Sequence, residues 1–290
     1  MAAIEKPLIV IVGPTASGKT GLSIKLAKQF NGAVVSADSR AVYRHMDIGT
    51  AKPTVTEMDG VPHYMLDLVD PDQRFTLSDF QHLANKYIKE IRGSSKIPFL
   101  VGGSGLYIDS IIFDYKLGSA VDDKTRTTLE EMTMNDLEKY IEDNKIEMPE
   151  NSKNKRYLIR AIEQNGVNRN RSRNAIPNAI IIGIDVDKST IEQRIRSRID
   201  NMLSCGFIDE VRNLVEKYGD QEAFRNNLYG VVQQLLRGEI DHDKMVERMV
   251  IVDRQLVKKQ MTWFKRNPNI KWLKLDDAEK YLTDQLENVT

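Results

Sequence analysis

Apolar residues in this chain gather in short unbroken runs rather than in strict alternation. The runs are "PLIVIV" (7–12), "GAVVSA" (32–37), "IPFLVGG" (97–103), "AIIIGIDV" (179–186) and "IKWLKL" (270–275). Continuous runs of this kind predict strands buried on both faces, as in a parallel sheet covered by helices. Segments of helical periodicity lie between them, which predicts a doubly wound α/β layout. The rhythm breaks between 116 and 175. There Leu129, Met132, Leu137, Tyr140 and Ile141 keep helical spacing without any strand. The expectation is a catalytic core formed by 1–115 and 176–290, with a small helical insertion at 116–175. The Asn- and Arg-rich stretch 165–178 predicts a mobile loop.

Two late helices are well marked. In "STIEQRIRSRIDNML", Ser189 and Glu192 have the spacing of a capping box, and Ile191, Ile195, Ile199 and Leu203 form an apolar stripe. Arg194 and Arg198 share another face one turn apart, where arginines are ordinarily solvated. The second helix is expected from about 242 to 266, ending at Asn267-Pro268, with Met245, Met249, Val252 and Leu256 as its seam. Its C-terminal half, "DRQLVKKQMTWFKR", is basic with aromatics, of which Trp263 and Phe264 are read as core.

Composition changes this picture in a few places. The 290 residues carry 42 basic and 42 acidic side chains, so net charge gives no pull toward nucleic acid and any basic site must be local. The single cysteine, Cys205, excludes an intrachain disulfide and a cysteine metal cluster, and suits a reducing compartment. The start lacks a signal-peptide pattern and the chain lacks a long apolar run, so a cytoplasmic protein without a membrane segment is expected. His45, His63, His82 and His242 are scattered without metal-ligand spacing and read as structural.

Candidate chemistry begins at "GPTASGKT". Gly13, Pro14, Thr15, Ala16, Ser17, Gly18, Lys19 and Thr20 match the phosphate-cradling loop between a strand and a helix. Glycines let backbone N–H groups converge on phosphate oxygens, the helix N-terminus faces the same point, Lys19 adds a charge, and Thr20 offers a hydroxyl to Mg²⁺. This pattern recognises linked phosphates and a metal; it does not read a base. Asp38 follows the second strand, at the edge where α/β proteins bind ligands, as either a carboxylate for metal or proton or a turn cap with Ser39. "VGGSGLY" brings Gly102, Gly103 and Gly105, which permit close backbone approach, and the hydroxyl of Ser104 to that same edge.

Taken together, "GPTASGKT", "DSRAVYRHMDIGTAKP", "VPHYMLDLVDP", "VGGSGLYI", "NKRYLIRAIE", "RIRSRIDNMLSCGFIDEV" and "DRQLVKKQMTWFKR" resemble the bacterial tRNA dimethylallyltransferases, also called tRNA isopentenyltransferases, from residue 8 to about 275. The resemblance implies a P-loop NTPase-like core whose loop holds dimethylallyl diphosphate rather than ATP. It implies transfer of the five-carbon group to N6 of the adenosine just 3′ of the tRNA anticodon, with release of diphosphate and use of Mg²⁺. Asp38 would be the general base, with Lys19, Ser104 and Arg254 completing the catalytic set and Arg254 neutralising the leaving diphosphate. Contact with tRNA is implied for Asp38, Ser39, Arg40, Ala41 and Ser104, for Arg126, and for Arg156, Tyr157, Leu158, Ile159 and Arg160. Lys258, Lys259, Lys265 and Arg266 offer a phosphate-binding face. The target adenine must leave its stack, so an anticodon stem-loop is the expected partner, held by the insertion. A monomer is expected.

The chain departs from the family pattern mainly on the RNA side. Ala41 replaces a glutamine, Tyr157 an arginine, and Asp253 a small hydroxyl residue, where it could pair with a nearby cation. "LYGVVQQLL" keeps Tyr229 but lacks a Gly-Tyr-Lys-Glu pattern. Two other readings of the residues stand beside this one. A small-molecule or nucleoside kinase would use ATP, with Asp38 activating a hydroxyl and Arg194 and Arg198 on the γ-phosphate. A non-catalytic RNA-binding protein would keep the loop as a relic.

Overall fold

The computed structural model describes residues 5–117, 123–164 and 174–288. Strand β1 (Leu8–Val12) is a run of large aliphatic side chains, all buried. It pairs in parallel with β4 (Ile97–Gly102) on one side and β5 (Ala179–Ile184) on the other. β2 (Gly32–Ser36) adds beyond β4, and β6 (Lys271–Leu273) beyond β5. The two-residue β3 (His63–Tyr64) completes the order β3-β2-β4-β1-β5-β6, parallel throughout. The apolar runs marked β1, β2, β4, β5 and β6 in advance. β3 has no apolar run to announce it and exists because β2 offers an edge.

Side chains alternate between the two faces of the sheet. Ile9, Ile11, Phe99 and Ile182 face α1 (Lys19–Gln29) and the C-terminal helix Leu275–Glu287, in a cluster with Leu22, Leu26, Ala278 and Leu282. Helices Leu77–Gly93 and Gly105–Ile112 pack together, Phe80 stacking on Tyr107 with ring centres 4.0 Å apart. The fold class expected from the sequence is the one observed.

A second hydrophobic cluster is built mainly from helices Lys188–Ser204, Phe207–Tyr218, Leu228–Leu236 and His242–Phe264, with Met46 from the loop after β2 and Phe224 buried in it. Two expectations fail here. The helix Lys188–Ser204 is preceded by Asp187 at its N-cap position, without a side-chain cap, so Ser189 and Glu192 form no capping box. Glu192 is instead ion-paired with Arg254. True capping boxes sit at Thr54/Glu57, Thr76/Asp79 and Thr133/Asp136. Likewise, the seam of helix His242–Phe264 holds Met245 and Met249 but leaves Leu256 40% exposed, because its later turns run along a cleft rather than over the core.

The chain divides into two compact units, Met1–Ile112 with Ile176–Thr290, and Phe113–Ala175. The smaller unit holds helices Asp123–Glu131, Met134–Asp143 and Lys155–Gln164 around Leu129, Leu137, Ile141, Leu158 and Ile159. Of the loop expected at 165–178, residues 165–173 lie outside the described residues. Within the larger unit the chain leaves and re-enters at adjacent points, since the Ile176 N–H donates to the Ile112 carbonyl at 2.7 Å.

Candidate active site

A cavity of about 930 Å³ opens at the C-terminal edge of β1, β2 and β4. Thr15, Ala16, Lys19 and Thr20 line it from the phosphate loop, and Asp38 through Ala41 from the segment after β2. Gly102 through Gly105 line it from the end of β4 onward, and Arg198, Asp253, Gln260 and Trp263 from the helical cluster. Close backbone approach makes this convergence possible: a Cβ on Gly102 would lie 2.2 Å from the Ala37 carbonyl oxygen, and one on Gly105 would lie 2.2 Å from the Trp263 ring.

The phosphate loop has the backbone its sequence demands. Gly18 enters α1 at φ 91°, a conformation glycine takes without steric cost, and Ala16 holds φ 64°. The Ser17 N–H donates back to the Pro14 carbonyl at 3.2 Å. Ser17 itself is fully buried, and its Oγ lacks a hydrogen-bond partner. Two side chains from the helical cluster brace the loop. Gln260 Oε1 accepts from the Thr15 N–H at 2.8 Å, and Arg194 Nη1 donates to the Ala16 carbonyl at 3.2 Å.

Lys19 folds over the loop, its Nζ donating to the Pro14 carbonyl at 3.0 Å. Burial pulls its ammonium down from the usual lysine range to about 8; the Asp38 carboxylate pulls the other way, and Arg198 repels it. The three charges are therefore close enough to feel one another. Asp38 Oδ1 accepts from the Arg40 N–H at 2.8 Å and the Ala41 N–H at 3.4 Å, so the carboxylate both caps its turn and lines the cleft. Ser104 Oγ accepts from the Ser39 N–H at 3.0 Å, tying the two loops together. Arg40 reaches away to the carbonyls of Ala223 and Arg225.

Arg254, expected at the leaving group, does not line the cleft; it points to Glu192 on the neighbouring helix. Arg198 occupies the wall instead. Its Nη1 lies 2.5 Å from Asp253 Oδ2 and its Nη2 donates to the Gly49 carbonyl at 3.4 Å. Asp253 is 2% exposed. Burial pushes its carboxyl up from the ordinary aspartate range, against which Arg198 pulls back. Trp263 is 37% exposed and donates its Nε1–H to Asp109 at 2.8 Å, so only Phe264 of the expected aromatic pair is core. Lys258, Lys259, Lys265 and Arg266 are exposed. Among the histidines, His63 meets the Val61 carbonyl through Nδ1 at 2.9 Å and is held below the usual histidine range by burial.

In the smaller unit the implied RNA contacts divide. Arg156 and Tyr157 are exposed. Leu158 and Ile159 are not available for contact: they are 0% and 3% exposed in the core of that unit, because they form the apolar face of their helix. Arg126 Nε lies 2.7 Å from Glu130, and its Nη1 lies 2.6 Å from Glu163.

Sequence reasoning missed the brace beneath the cleft. Lys52 is 5% exposed and sits 2.6 Å from both Asp47 and Asp67. Glu210 accepts from the backbone N–H groups of Asp47, Ile48 and Gly49 at 3.0, 2.8 and 3.2 Å, and from the Tyr229 hydroxyl at 2.6 Å. Its sequence neighbours carry no sign of this, because the three backbone donors lie some 160 positions away and Tyr229 lies 19 away, on another helix. Glu210→Ala would strand those donors and is expected to cost about 2–4 kcal/mol of stability. Urea unfolding followed by fluorescence of Trp263 and Trp272, both in the larger unit, measures it.

Comparison with known proteins shows the family and the fold. Residues 41–267 match the family model described as IPP transferase. The chain is 40% identical over 292 residues to a tRNA dimethylallyltransferase of Staphylococcus haemolyticus, covering 94% of this chain and 88% of that one. It is 38% identical over 290 residues to one of Acetivibrio thermocellus, covering 94% and 93%. The crystal structure of a tRNA isopentenylpyrophosphate transferase from Staphylococcus epidermidis superposes with a TM-score of 0.74 at 35% identity, covering 98% of this chain and all of that one. A eukaryotic dimethylallyltransferase captured acting on tRNA gives 0.76 at 25% identity, covering 93% of this chain and 74% of that one.

Proposed function

The chain belongs to the IPP transferase family and is a tRNA prenyltransferase, and we propose that it moves the dimethylallyl group of dimethylallyl diphosphate to N6 of the adenosine 3′ of the anticodon. The observation that carries this reading is the meeting of Lys19, in its phosphate loop, with Asp38 in one cleft.

The donor's diphosphate lies on the loop, against the N-terminus of α1. The C1–O bond to the diphosphate breaks and a C1–N6 bond forms. Charge grows on the departing oxygens, and Lys19, the loop N–H groups and Arg198 are placed to receive it. Arg198 takes the part first expected of Arg254. An aromatic amine is a weak nucleophile because its lone pair is delocalised. Asp38 takes the N6 proton as the bond forms and prevents a full positive charge on nitrogen. Ser104, bonded to Ser39, keeps the Asp38 turn in register with the end of β4.

The residues also fit Mg²⁺. Thr20 is exposed at the cleft in the first turn of α1. Among the described residues no group of three or more His, Cys, Asp or Glu side chains could cage a metal. Thr20 would hold Mg²⁺, and when bound it supplies further charge neutralisation for diphosphate.

On the RNA side, Ser39, Arg40 and Ala41 border the cleft where the adenine must enter. In the smaller unit, Arg126, Arg156, Tyr157 and Arg160 are the residues offered to tRNA. Among the described residues, no helix is long and apolar enough to cross a membrane.

The decisive experiment is mass spectrometry of tRNA incubated with the protein, dimethylallyl diphosphate and Mg²⁺. The expected product carries one five-carbon group on that adenosine. ATP-dependent phosphorylation without prenyl transfer would refute the reading. A second expectation follows from Lys19, whose free ammonium titrates near 8. Bound diphosphate favours the charged form, so binding takes up a proton above that pH. Donor affinity is then expected to fall about tenfold between pH 7 and pH 9. Calorimetry in two buffers of different ionisation enthalpy would show proton uptake rising over that range.

A further inference from the structure

The buried pair Arg198–Asp253 is not required by the core around it. Asp253, on helix His242–Phe264, is 2% exposed, and replacing both members of such a buried ion pair by apolar side chains of similar volume is often neutral or stabilising. Arg198, on helix Lys188–Ser204, keeps 17% of its side chain exposed and lines the cleft with its partner. Lys19 lines the same cleft, and the two like charges repel. Left alone, a flexible cation in that position turns away from a like charge toward water. Asp253 opposes this at 2.5 Å, and the Gly49 carbonyl supports the second nitrogen at 3.4 Å. The same helix reaches the phosphate loop two turns later, where Gln260 accepts from the Thr15 N–H at 2.8 Å. One rigid element thus sets both the loop and the guanidinium opposite it.

We propose that Asp253 is a positioning residue for transfer: its pairing with Arg198 fixes that guanidinium in the cleft wall, aimed at the diphosphate held beside Lys19. This deepens the functional reading above and rests on it. Asp253 touches no reacting atom and acts only through Arg198.

The test is a double-mutant cycle on the full-length protein with Asp253→Val and Arg198→Met. The first readout is binding of inorganic diphosphate with Mg²⁺ by calorimetry; the second is KM for donor and for tRNA. Asp253→Val is close to aspartate in volume, and Arg198, 17% exposed, can turn toward water, so the variant is expected to fold. It should weaken diphosphate binding about tenfold and raise donor KM in proportion, leaving KM for tRNA unchanged. Asp253→Asn, which keeps an acceptor for Arg198, should fall between. Arg198→Met should add little to Asp253→Val, because the pair acts as a unit. Wild-type diphosphate affinity in Asp253→Val, or a full additional loss when Arg198→Met is added, would overturn the proposal. Should Asp253→Val fail to fold, the cycle is run with Asp253→Asn, where additivity overturns and non-additivity supports. A wild-type protein that binds diphosphate but transfers no prenyl group to tRNA contradicts the functional reading and leaves the pairing intact.

Discussion

Replacing Asp38 with asparagine is expected to lower kcat for prenyl transfer by about 10²- to 10⁴-fold, the range over which a positioned general base contributes. Asparagine is the informative choice because of the two jobs seen at this residue. Asp38 Oδ1 accepts from the N–H groups of Arg40 and Ala41, and an amide oxygen can accept the same two bonds. The turn after β2 therefore survives, as does the border of the cleft that it forms. What is lost is the capacity to take a proton from N6. Donor affinity, measured by calorimetry with inorganic diphosphate, should change little, so the loss appears in kcat rather than in binding. A variant that transferred at the wild-type rate would remove Asp38 from the mechanism.

Replacing Lys19 with methionine is expected to reduce kcat by about 10²- to 10³-fold, as when one preorganised stabiliser of developing negative charge is removed. Donor binding should also weaken, because diphosphate is charged before and after the bond breaks. Stability should move the other way. Burial holds the Lys19 ammonium down near 8 instead of the lysine norm, which means the fold disfavours its charge. An apolar side chain of similar length relieves that cost, so the melting temperature should hold or rise while activity collapses. Thermal unfolding beside steady-state kinetics on the same preparation checks both halves. A fall in both would indicate that Lys19 serves the loop's structure rather than charge neutralisation.

The parts of this molecule legible from sequence are those in which neighbours in the chain carry the physics. β1 announces itself because a parallel central strand is apolar on both faces, and the phosphate loop because its backbone demands glycine at fixed spacing. Asp38 and Ser104 were readable as strand-end residues. Tertiary choice was harder to see. Between two arginines on neighbouring helices, Arg198 and Arg254, the sequence resemblance favoured the second. The structure puts the first in the cleft because a buried carboxylate, Asp253, holds it there, while Glu192 draws the other away. Asp253 itself stood out as a departure, and its partner depended on how two helices pack. Glu210 gave no local signal at all, since its four hydrogen bonds go to residues brought near only by folding. Leu158 and Ile159 show the opposite error: a motif matched residue by residue includes the side chains that hold its helix in place.

The backbone bond from Ile176 to Ile112 has a consequence for protein engineering and for ancestry. A tight turn grafted across that neck would preserve strand order, both hydrophobic clusters and every side chain lining the cradle. Among the described residues the excursion it replaces adds no strand to the sheet, and closure entropy grows only slowly with the length of a loop. The intervening helices are thus an exchangeable cassette, one that could have been acquired, lengthened or traded while the machinery for the isoprenoid donor stayed unaltered.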